Sequence, residues 1–175
     1  MRKSILRVQA RAVAGRGAVL HASAVSLNGR GLLFLAPSGG GKSTAAAILG
    51  SRGFEVLGDD STVVCMGTDG VWRVIPCASW SWQSKTERQA HELGALVLLE
   101  KGEPPLLKKL APLYAAYRIR REGSLMALGD LPETERPPLR ASVADVCRGF
   151  PAFALRYSLP VSLERMMDDL AGELH

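Results

Sequence analysis

The segment that most constrains the fold of this chain is a glycine-rich run at residues 36–43, which reads APSGGGKS. Three consecutive glycines let the backbone bend tightly and point successive amide groups inward, where side chains would otherwise block an anion. An apolar run at 31–35 predicts a strand before this segment, and residues 44–49 predict a helix after it. Strand, glycine-rich loop and helix in this order are typical of a phosphate-binding loop, whereas a glycine-rich linker with a chance lysine lacks such flanks.

The residue types in this run predict a bound nucleoside triphosphate with magnesium. Lys42 is a compact cation placed to reach the outer phosphates, and the hydroxyl of Ser43 is suited to a magnesium ion. The residues expected to contact the nucleotide are Ser38, Gly39, Gly40, Gly41, Lys42, Ser43 and Thr44.

Length and composition favour one globular domain over residues 1–175. The chain is 47% apolar and 22% charged with a net charge of +5, and no basic run is interleaved with aromatic residues, so we expect no nucleic acid partner. No stretch has the length of a membrane span and no signal-peptide core is evident, so we expect a cytoplasmic protein with no membrane partner. Cys65, Cys77 and Cys147 are widely spaced, as expected of reduced thiols.

Turn signals predict two hairpins close to the glycine-rich run. Asn28-Gly29 joins strands at 21–27 and 31–35, and residues 67–70 join strands at 61–66 and 71–75. Hairpins at these positions favour a mixed sheet over a doubly wound parallel one. The predicted class is therefore α/β, with a mixed sheet whose hairpins flank the phosphate loop.

The remaining pattern gives less distinct predictions. Alternating residues at 7–13 predict an edge strand, and the apolar run 94–99 predicts a strand covered on both faces. Further expected elements are a helix at 106–121 interrupted by Pro112, a loop at 132–138, a short helix that begins with a capping box at 142–145, a strand at 152–157 and a helix capped by Ser162. Residues 76–92 are expected to form a loop with a short helix. Its Trp80, Trp82, Lys85 and Arg88 either line an acceptor site or pack as an ordinary loop.

Two acidic residues and a histidine complete the candidate site. Asp59 and Asp60 follow the strand expected after the loop helix, where a carboxylate can face a magnesium ion or accept a proton from an attacking hydroxyl. The alternative is a solvated turn after Gly58. His21 opens the first hairpin, and adjacent strands can bring it beside Asp59. Taken alone, it is more simply a structural or exposed histidine.

In their order, His21-Ala22, residues 33–43 and residues 56–60 resemble the catalytic domain of HPr kinase/phosphorylase, in a short stand-alone form. That family is also similar in structure to phosphoenolpyruvate carboxykinase. The resemblance implies a P-loop nucleotide-binding fold of the HPr kinase type, with ATP and Mg²⁺ as ligands. It implies that Lys42 binds phosphates, that Ser43 binds the magnesium ion, and that one of Asp59 and Asp60 is the base on the acceptor hydroxyl, tuned by His21. Of the two aspartates we favour Asp59 as the base and Asp60 as a metal ligand.

We therefore expect an enzyme, an ATP-dependent kinase that transfers a γ-phosphoryl group to a hydroxyl of a protein, peptide or small molecule. The alternative is a non-catalytic nucleotide-binding regulatory module of the same fold. It is motivated by the short chain and by the lack of the second, glycine-containing signature of the bifunctional enzymes. Pro37 and Thr44 also stand where those enzymes carry acidic residues, which bears on phosphorolysis and on recognition of HPr. A carboxykinase-like metabolite enzyme is a third, less favoured alternative. The oligomeric state stays open, a homo-oligomer included.

Overall fold

The fold comes from a computed structural model that describes residues 2–76, 89–122, 131–158 and 161–174. The helices are α1 Arg2–Val13, α2 Lys42–Ser51, α3 Pro112–Arg121, α4 Arg136–Gly149 and α5 Val161–Glu173. The strands are β1 Gly17–Leu20, β2 Ala22–Leu27, β3 Arg30–Leu35, β4 Val56–Gly58, β5 Thr62–Met66, β6 Trp72–Ile75, β7 His91–Lys101, β8 Leu106–Leu110 and β9 Ala152–Tyr157.

The strands form one mixed sheet with β3 and β7 at its centre. β3 pairs with β2 antiparallel and with β7 parallel, and β4 continues the sheet beyond β2. The other edge of β7 is shared: its first residues pair with β6, and from Leu96 onward it pairs in parallel with β9. The chain is thus a mixed α/β protein, as expected from the hairpins.

Helices cover both faces of the central strands, and alternate side chains of each strand divide between them. Leu32 and Phe34 belong to a buried cluster with α2 and α5, whereas Leu33 and Leu35 belong to a cluster with α3 and α4. This two-sided burial explains the unbroken apolar run at 94–99 within β7, because the middle of a central strand has no solvent-facing side. Among the helices described here, none is long and apolar enough to cross a membrane.

Both predicted hairpins are confirmed. β2 and β3 are antiparallel around Asn28 and Gly29, whose φ angles of 51° and 79° are those that an Asn-Gly hairpin turn adopts. β5 and β6 are likewise antiparallel around residues 67–70. The predicted strand at 152–157 is confirmed as β9, and Gly53, with φ 91°, follows the end of α2 in the left-handed conformation that favours glycine.

The expected edge strand at 7–13 is wrong, because these residues belong to α1. Ala10 and Val13, three positions apart, are both buried in a cluster with β1 and β5. Arg11, on another side of the helix, donates two hydrogen bonds of 2.8 and 2.9 Å to Glu135. Over so few residues an alternating pattern and a helical one share most positions, and the contact that selects the helix comes from residues far along the chain.

The expected helix at 106–121 is wrong in its first part. Residues Leu106–Leu110 form β8, which pairs antiparallel with β9. Pro112 begins α3 instead of interrupting a helix, since proline is tolerated in the first helical turn, where its missing N–H has no helical partner.

The loop expected at 132–138 and the capping box at 142–145 are also wrong. A short 3₁₀ turn at Glu133–Glu135 leads into α4, whose first turn contains Pro137 and Pro138. Ser142 lies inside this helix and donates a 3.0 Å hydrogen bond to the carbonyl of Pro138, so it caps nothing. Similarly, α5 begins at Val161, one residue before the expected cap.

Most of the loop expected at 76–92 lies outside the described residues. This applies to Trp80, Trp82, Lys85 and Arg88, and also to Cys77. The end of that range is strand rather than loop, because β7 begins at His91. Of the other two cysteines, Cys147 is buried and Cys65 is partly buried, and both are free thiols.

Candidate functional site

The topology gathers the predicted site residues at one edge of the sheet. β3, β7 and β9 run parallel, and β4 runs in the same direction because it and β3 are both antiparallel to β2. The carboxyl ends of these strands therefore share an edge, from which the glycine-rich loop leaves β3. Asp59 and Asp60 follow β4 at this edge, and His21 lies just before β2 begins there. In open α/β sheets, ligands bind at the carboxyl ends of the strands.

The three glycines of the loop are required for two different reasons. Gly39 and Gly41 have φ angles of 74° and 94°, a left-handed conformation that favours glycine. A Cβ on Gly40 would lie 2.5 Å from the Cβ of Ala36, and one on Gly41 would overlap the hydroxyl of Tyr157. Ala36 is fully buried against this turn, which explains why a small residue is needed at the start of the loop.

Lys42, the first residue of α2, points its side chain into the loop. It is only 5% exposed, and its Nζ donates to the carbonyl oxygens of Ala36 at 2.9 Å and Pro37 at 3.1 Å. Burial lowers the pKa of this ammonium group, and the charge of Asp59 partly opposes the shift. The cation is therefore held by two neutral carbonyls at the place where an anion would supply a stronger partner.

The carboxylate of Asp59 joins the start of α2 to β2. Its Oδ1 accepts a 2.7 Å hydrogen bond from the hydroxyl of Ser43 and a 2.8 Å hydrogen bond from the hydroxyl of Ser23. Ser43 is exposed, whereas Ser23 is fully buried. Sequence reasoning missed Ser23, although a serine within the apolar run of β2 is a signal for a buried polar contact.

His21 lies beside Asp60, whereas the sequence suggested a position beside Asp59. Its Nδ1 is 2.9 Å from the carbonyl oxygen of Asp60 and 3.2 Å from Asp60 Oδ1. Asp60 has a left-handed φ of 65°, which turns the chain sharply between the two aspartates. The two carboxylates consequently have different neighbours, and the one that contacts Ser43 is Asp59, whereas Asp60 was expected to share the metal with Ser43.

Two further polar side chains contact the glycine-rich loop, and neither was predicted. Lys101, at the end of β7, donates a 3.0 Å hydrogen bond to the carbonyl of Gly39. The hydroxyl of Tyr157, at the end of β9, donates to the carbonyl of Gly41 at 3.4 Å, and burial raises the pKa of this phenol. Both residues follow apolar runs of parallel strands, but their position at the loop depends on strand register, which the sequence does not display.

This arrangement is chemically suited to an anion with a divalent cation. Gly41, at the N-cap of α2, has no side chain to cap the helix amides, and the first turn of α2 contains no acidic residue. These amides and the buried Lys42 can bind phosphate oxygens. The hydroxyl of Ser43 and the carboxylate of Asp59 are hard oxygen donors of the kind that Mg²⁺ prefers. Ser38 and Thr44, the other predicted contacts, are exposed on either side of the glycines.

Fold and site together define a mixed α/β protein in which a glycine-rich loop joins a central strand to a helix. A family model described as SynChlorMet cassette protein ScmC matches residues 1–169, and the chain belongs to that family. Among solved structures, the chain is similar to the Hpr(Ser) kinase/phosphatase from Coxiella burnetii, with a TM-score of 0.49, 13% sequence identity, and coverage of 89% of this chain and 95% of that chain. No curated protein matches the sequence.

Proposed function

We propose that this protein is an ATP-dependent phosphotransferase that moves a γ-phosphoryl group to a hydroxyl of an acceptor. The observation that carries this proposal is the hydrogen-bonded set of Ser43 and Asp59 at the start of α2, beside a buried Lys42. A site that only binds an anion needs the loop amides and the lysine. A carboxylate and a hydroxyl placed against them add the oxygen ligands of a magnesium nucleotide.

The loop amides and Lys42 bind the phosphates in this proposal. Lys42 exchanges its two carbonyl partners for phosphate oxygens, and the amides of the α2 N-terminus add partial positive charge. Ser43 and Asp59 would hold Mg²⁺, which neutralises negative charge on the nucleotide when it is bound. Lys101 and Tyr157 hold the carbonyls of Gly39 and Gly41, so that the loop keeps its shape.

We assign the two aspartates opposite roles to those expected from the sequence. Asp59 Oδ1 already accepts hydrogen bonds from two hydroxyls, one of them on Ser43, so it belongs to the metal side. The side chain of Asp60 is 43% exposed and lies beside His21, so it can reach an acceptor hydroxyl at this edge and accept its proton. His21 is a positioning residue, because its Nδ1 lies against both the backbone and the carboxylate of Asp60.

Two substitutions separate these roles. Asp60→Asn should keep MgATP binding, measured by calorimetry, and lose phosphoryl transfer by about a hundredfold or more, as expected when a proton acceptor is removed. Asp59→Asn should instead weaken nucleotide binding in the presence of Mg²⁺ more than in its absence. Transfer is followed with γ-labelled ATP and proteins of a desalted lysate as acceptors.

The outcomes distinguish the enzyme from its alternative. Failure of the wild-type protein to bind MgATP would overturn the proposal altogether. Binding without transfer to any acceptor would favour the non-catalytic regulatory module. Transfer that survives Asp60→Asn but not Asp59→Asn would return the role of the base to Asp59.

A further inference from the structure

A second polar site lies at the same edge of the sheet, on the face opposite α2. A cavity of about 170 Å³ is enclosed by the end of β7, by β8 and β9, and by α3. Three basic residues and one acidic residue provide its charged lining, with Tyr114 beside them. We call it the cationic pocket and define it by Glu100, Lys108, Tyr114, Arg118 and Arg156.

The cationic pocket has an excess of positive charge. Its single lining carboxylate, Glu100, accepts a hydrogen bond of 2.9 Å from Arg118 and lies 3.9 Å from Arg156. Arg118 is largely buried and also pairs with Glu122. Burial works to lower the pKa of Arg118, but its hydrogen bonds, first to Glu122 and then to Glu100, raise the pKa overall, so this residue stays charged. Arg156 and Lys108 are more exposed and complete the positive lining.

The cationic pocket and the glycine-rich loop are supported by the same two strand ends. In β7, Glu100 faces the pocket and the next residue, Lys101, contacts Gly39. In β9, Arg156 faces the pocket and the next residue, Tyr157, contacts the loop on the other face. Because adjacent strands are about 4.8 Å apart, the pocket at β9 lies roughly 10 Å across the sheet from β3, where the loop begins.

The size of the cationic pocket selects a small anionic group. A volume of about 170 Å³ holds about five or six water molecules at ~30 Å³ each. Pockets for whole metabolites or drug-sized ligands are usually about 300 to 1,000 Å³. One carboxylate side chain fits this space and meets Arg156 and Lys108, because Arg118 already pairs with Glu100 and Glu122.

The surface beside the pocket is suited to a polypeptide. Helix α3 exposes Leu113, Tyr114 and Tyr117, with exposed fractions of 79%, 49% and 50%. On the other side of α3, a groove of about 230 Å³ against α4 combines apolar side chains with Arg120 and Arg140. Apolar and aromatic groups between positive charges complement a segment that carries both acidic and apolar side chains.

We propose that the cationic pocket binds an acidic side chain of a polypeptide partner that lies across α3. This inference rests on the proposed function in one respect, because a polypeptide docked here is the acceptor that the transfer site at the same edge would use. The docking itself requires only the charge and shape of the pocket and of α3.

The test uses a fluorescein-labelled peptide of glutamate, leucine and glycine, and a matched peptide with glutamine in place of glutamate. Fluorescence anisotropy reports binding to the full chain. Lys108→Glu should weaken binding of the glutamate peptide about tenfold or more, since it places a carboxylate inside the pocket. Lys109→Glu is the matched control: Lys109 is the next residue of β8, is also exposed and faces the other side of the strand. It should change binding less than about twofold.

Three results would overturn the docking proposal even if the glutamate peptide binds to the wild type. These are equal losses in Lys108→Glu and Lys109→Glu, equal binding of the glutamine peptide, or self-association of the wild type that Lys108→Glu abolishes, which would make a second copy the occupant. MgATP binding by the wild type is measured in parallel. Peptide binding without MgATP binding would overturn the proposed kinase function and leave the docking proposal standing. MgATP binding without peptide binding would overturn only the docking proposal.

Discussion

Ser43 Oγ donates a 2.7 Å hydrogen bond to Asp59 Oδ1, and this contact ties the first turn of α2 to the end of β4. The remainder of α2 and the whole of β4 separate the two residues in the sequence. A second hydroxyl, that of the buried Ser23, holds the same oxygen from β2. Hydrogen bonds from two different elements thus fix the position of this carboxylate oxygen.

Lys42→Met should abolish most nucleotide affinity. A hydrogen bond to a charged group contributes about 1.5–3 kcal/mol, so MgATP affinity should fall by roughly 10- to 150-fold. Methionine retains the apolar stem of the buried side chain, which limits the effect on folding. Calorimetry on the folded variant measures the loss, and Lys109→Met serves as the control for net charge. Unchanged affinity in Lys42→Met would contradict the assignment of the loop as a phosphate site.

Alanine at Gly39 and at Gly41 should destabilise the protein to different extents. Both positions have φ in the left-handed region, which costs a residue with a Cβ about 1–2 kcal/mol. Nothing lies within 4 Å of a Cβ on Gly39, whereas a Cβ on Gly41 would overlap the Tyr157 hydroxyl. Gly41→Ala should therefore lose more unfolding free energy in urea titration.

Combining each alanine substitution with Tyr157→Phe tests whether the Tyr157 hydroxyl causes the difference between them. Tyr157→Phe removes the overlapping oxygen, so it should reduce the cost of Gly41→Ala and leave the cost of Gly39→Ala unchanged. Equal costs in both backgrounds would show that the loop relaxes away from β9.

Ser23→Ala should reduce the stability of the protein and leave the Asp59 carboxylate less firmly positioned. The variant removes one of two hydroxyl donors to Asp59 in a fully buried position, which costs about 0.5–1.5 kcal/mol of unfolding free energy. Ser51→Ala is the control, because Ser51 is exposed and its hydroxyl bonds only to the Ile48 carbonyl of its own helix. If Ser23→Ala costs no more in a wild-type background than in Asp59→Ala, which lacks the acceptor oxygen, the hydrogen bond contributes nothing to stability.

Cys147 should be inert in the folded protein. Burial raises the pKa of its thiol from 9.0 to about 12, so the reactive thiolate is scarce near pH 8. In a Cys65→Ser/Cys77→Ser variant, a disulfide reagent should label Cys147 only after denaturation. The raised pKa has a consequence for stability: the contribution of the neutral thiol is complete below about pH 9 and is lost as the pH rises toward 12. Rapid labelling of the native variant at pH 8 would contradict this burial.

The sequence predicted the parts of the fold that local chemistry determines. Asn28 and Gly29 define a turn by their own conformational preferences, and the loop glycines predict a bend before a helix. Sequence-based prediction failed where residues distant in the chain determine the secondary structure. Leu106–Leu110 forms a strand because β9 offers an edge for pairing.

The candidate site likewise contains residues that local sequence suggests and residues that only tertiary contacts bring together. The glycine-rich run and the two aspartates became candidates from local pattern, because the residues of a phosphate loop are contiguous in sequence. Lys101 and Tyr157 reach the loop only through the registers of β7 and β9, and the pairing of His21 with Asp60 depends on a left-handed residue. Tertiary contacts of this kind leave no periodic signal in the chain.

The central position of β3 has a consequence for hydrogen exchange. Its backbone is hydrogen bonded to β2 on one side and to β7 on the other, so its amides exchange with deuterium only when the sheet opens. We therefore expect the strand from which the glycine-rich loop starts to be among the most slowly exchanging in the protein. Movement of the loop alone should leave exchange in β3 unchanged, so that this exchange reports global unfolding.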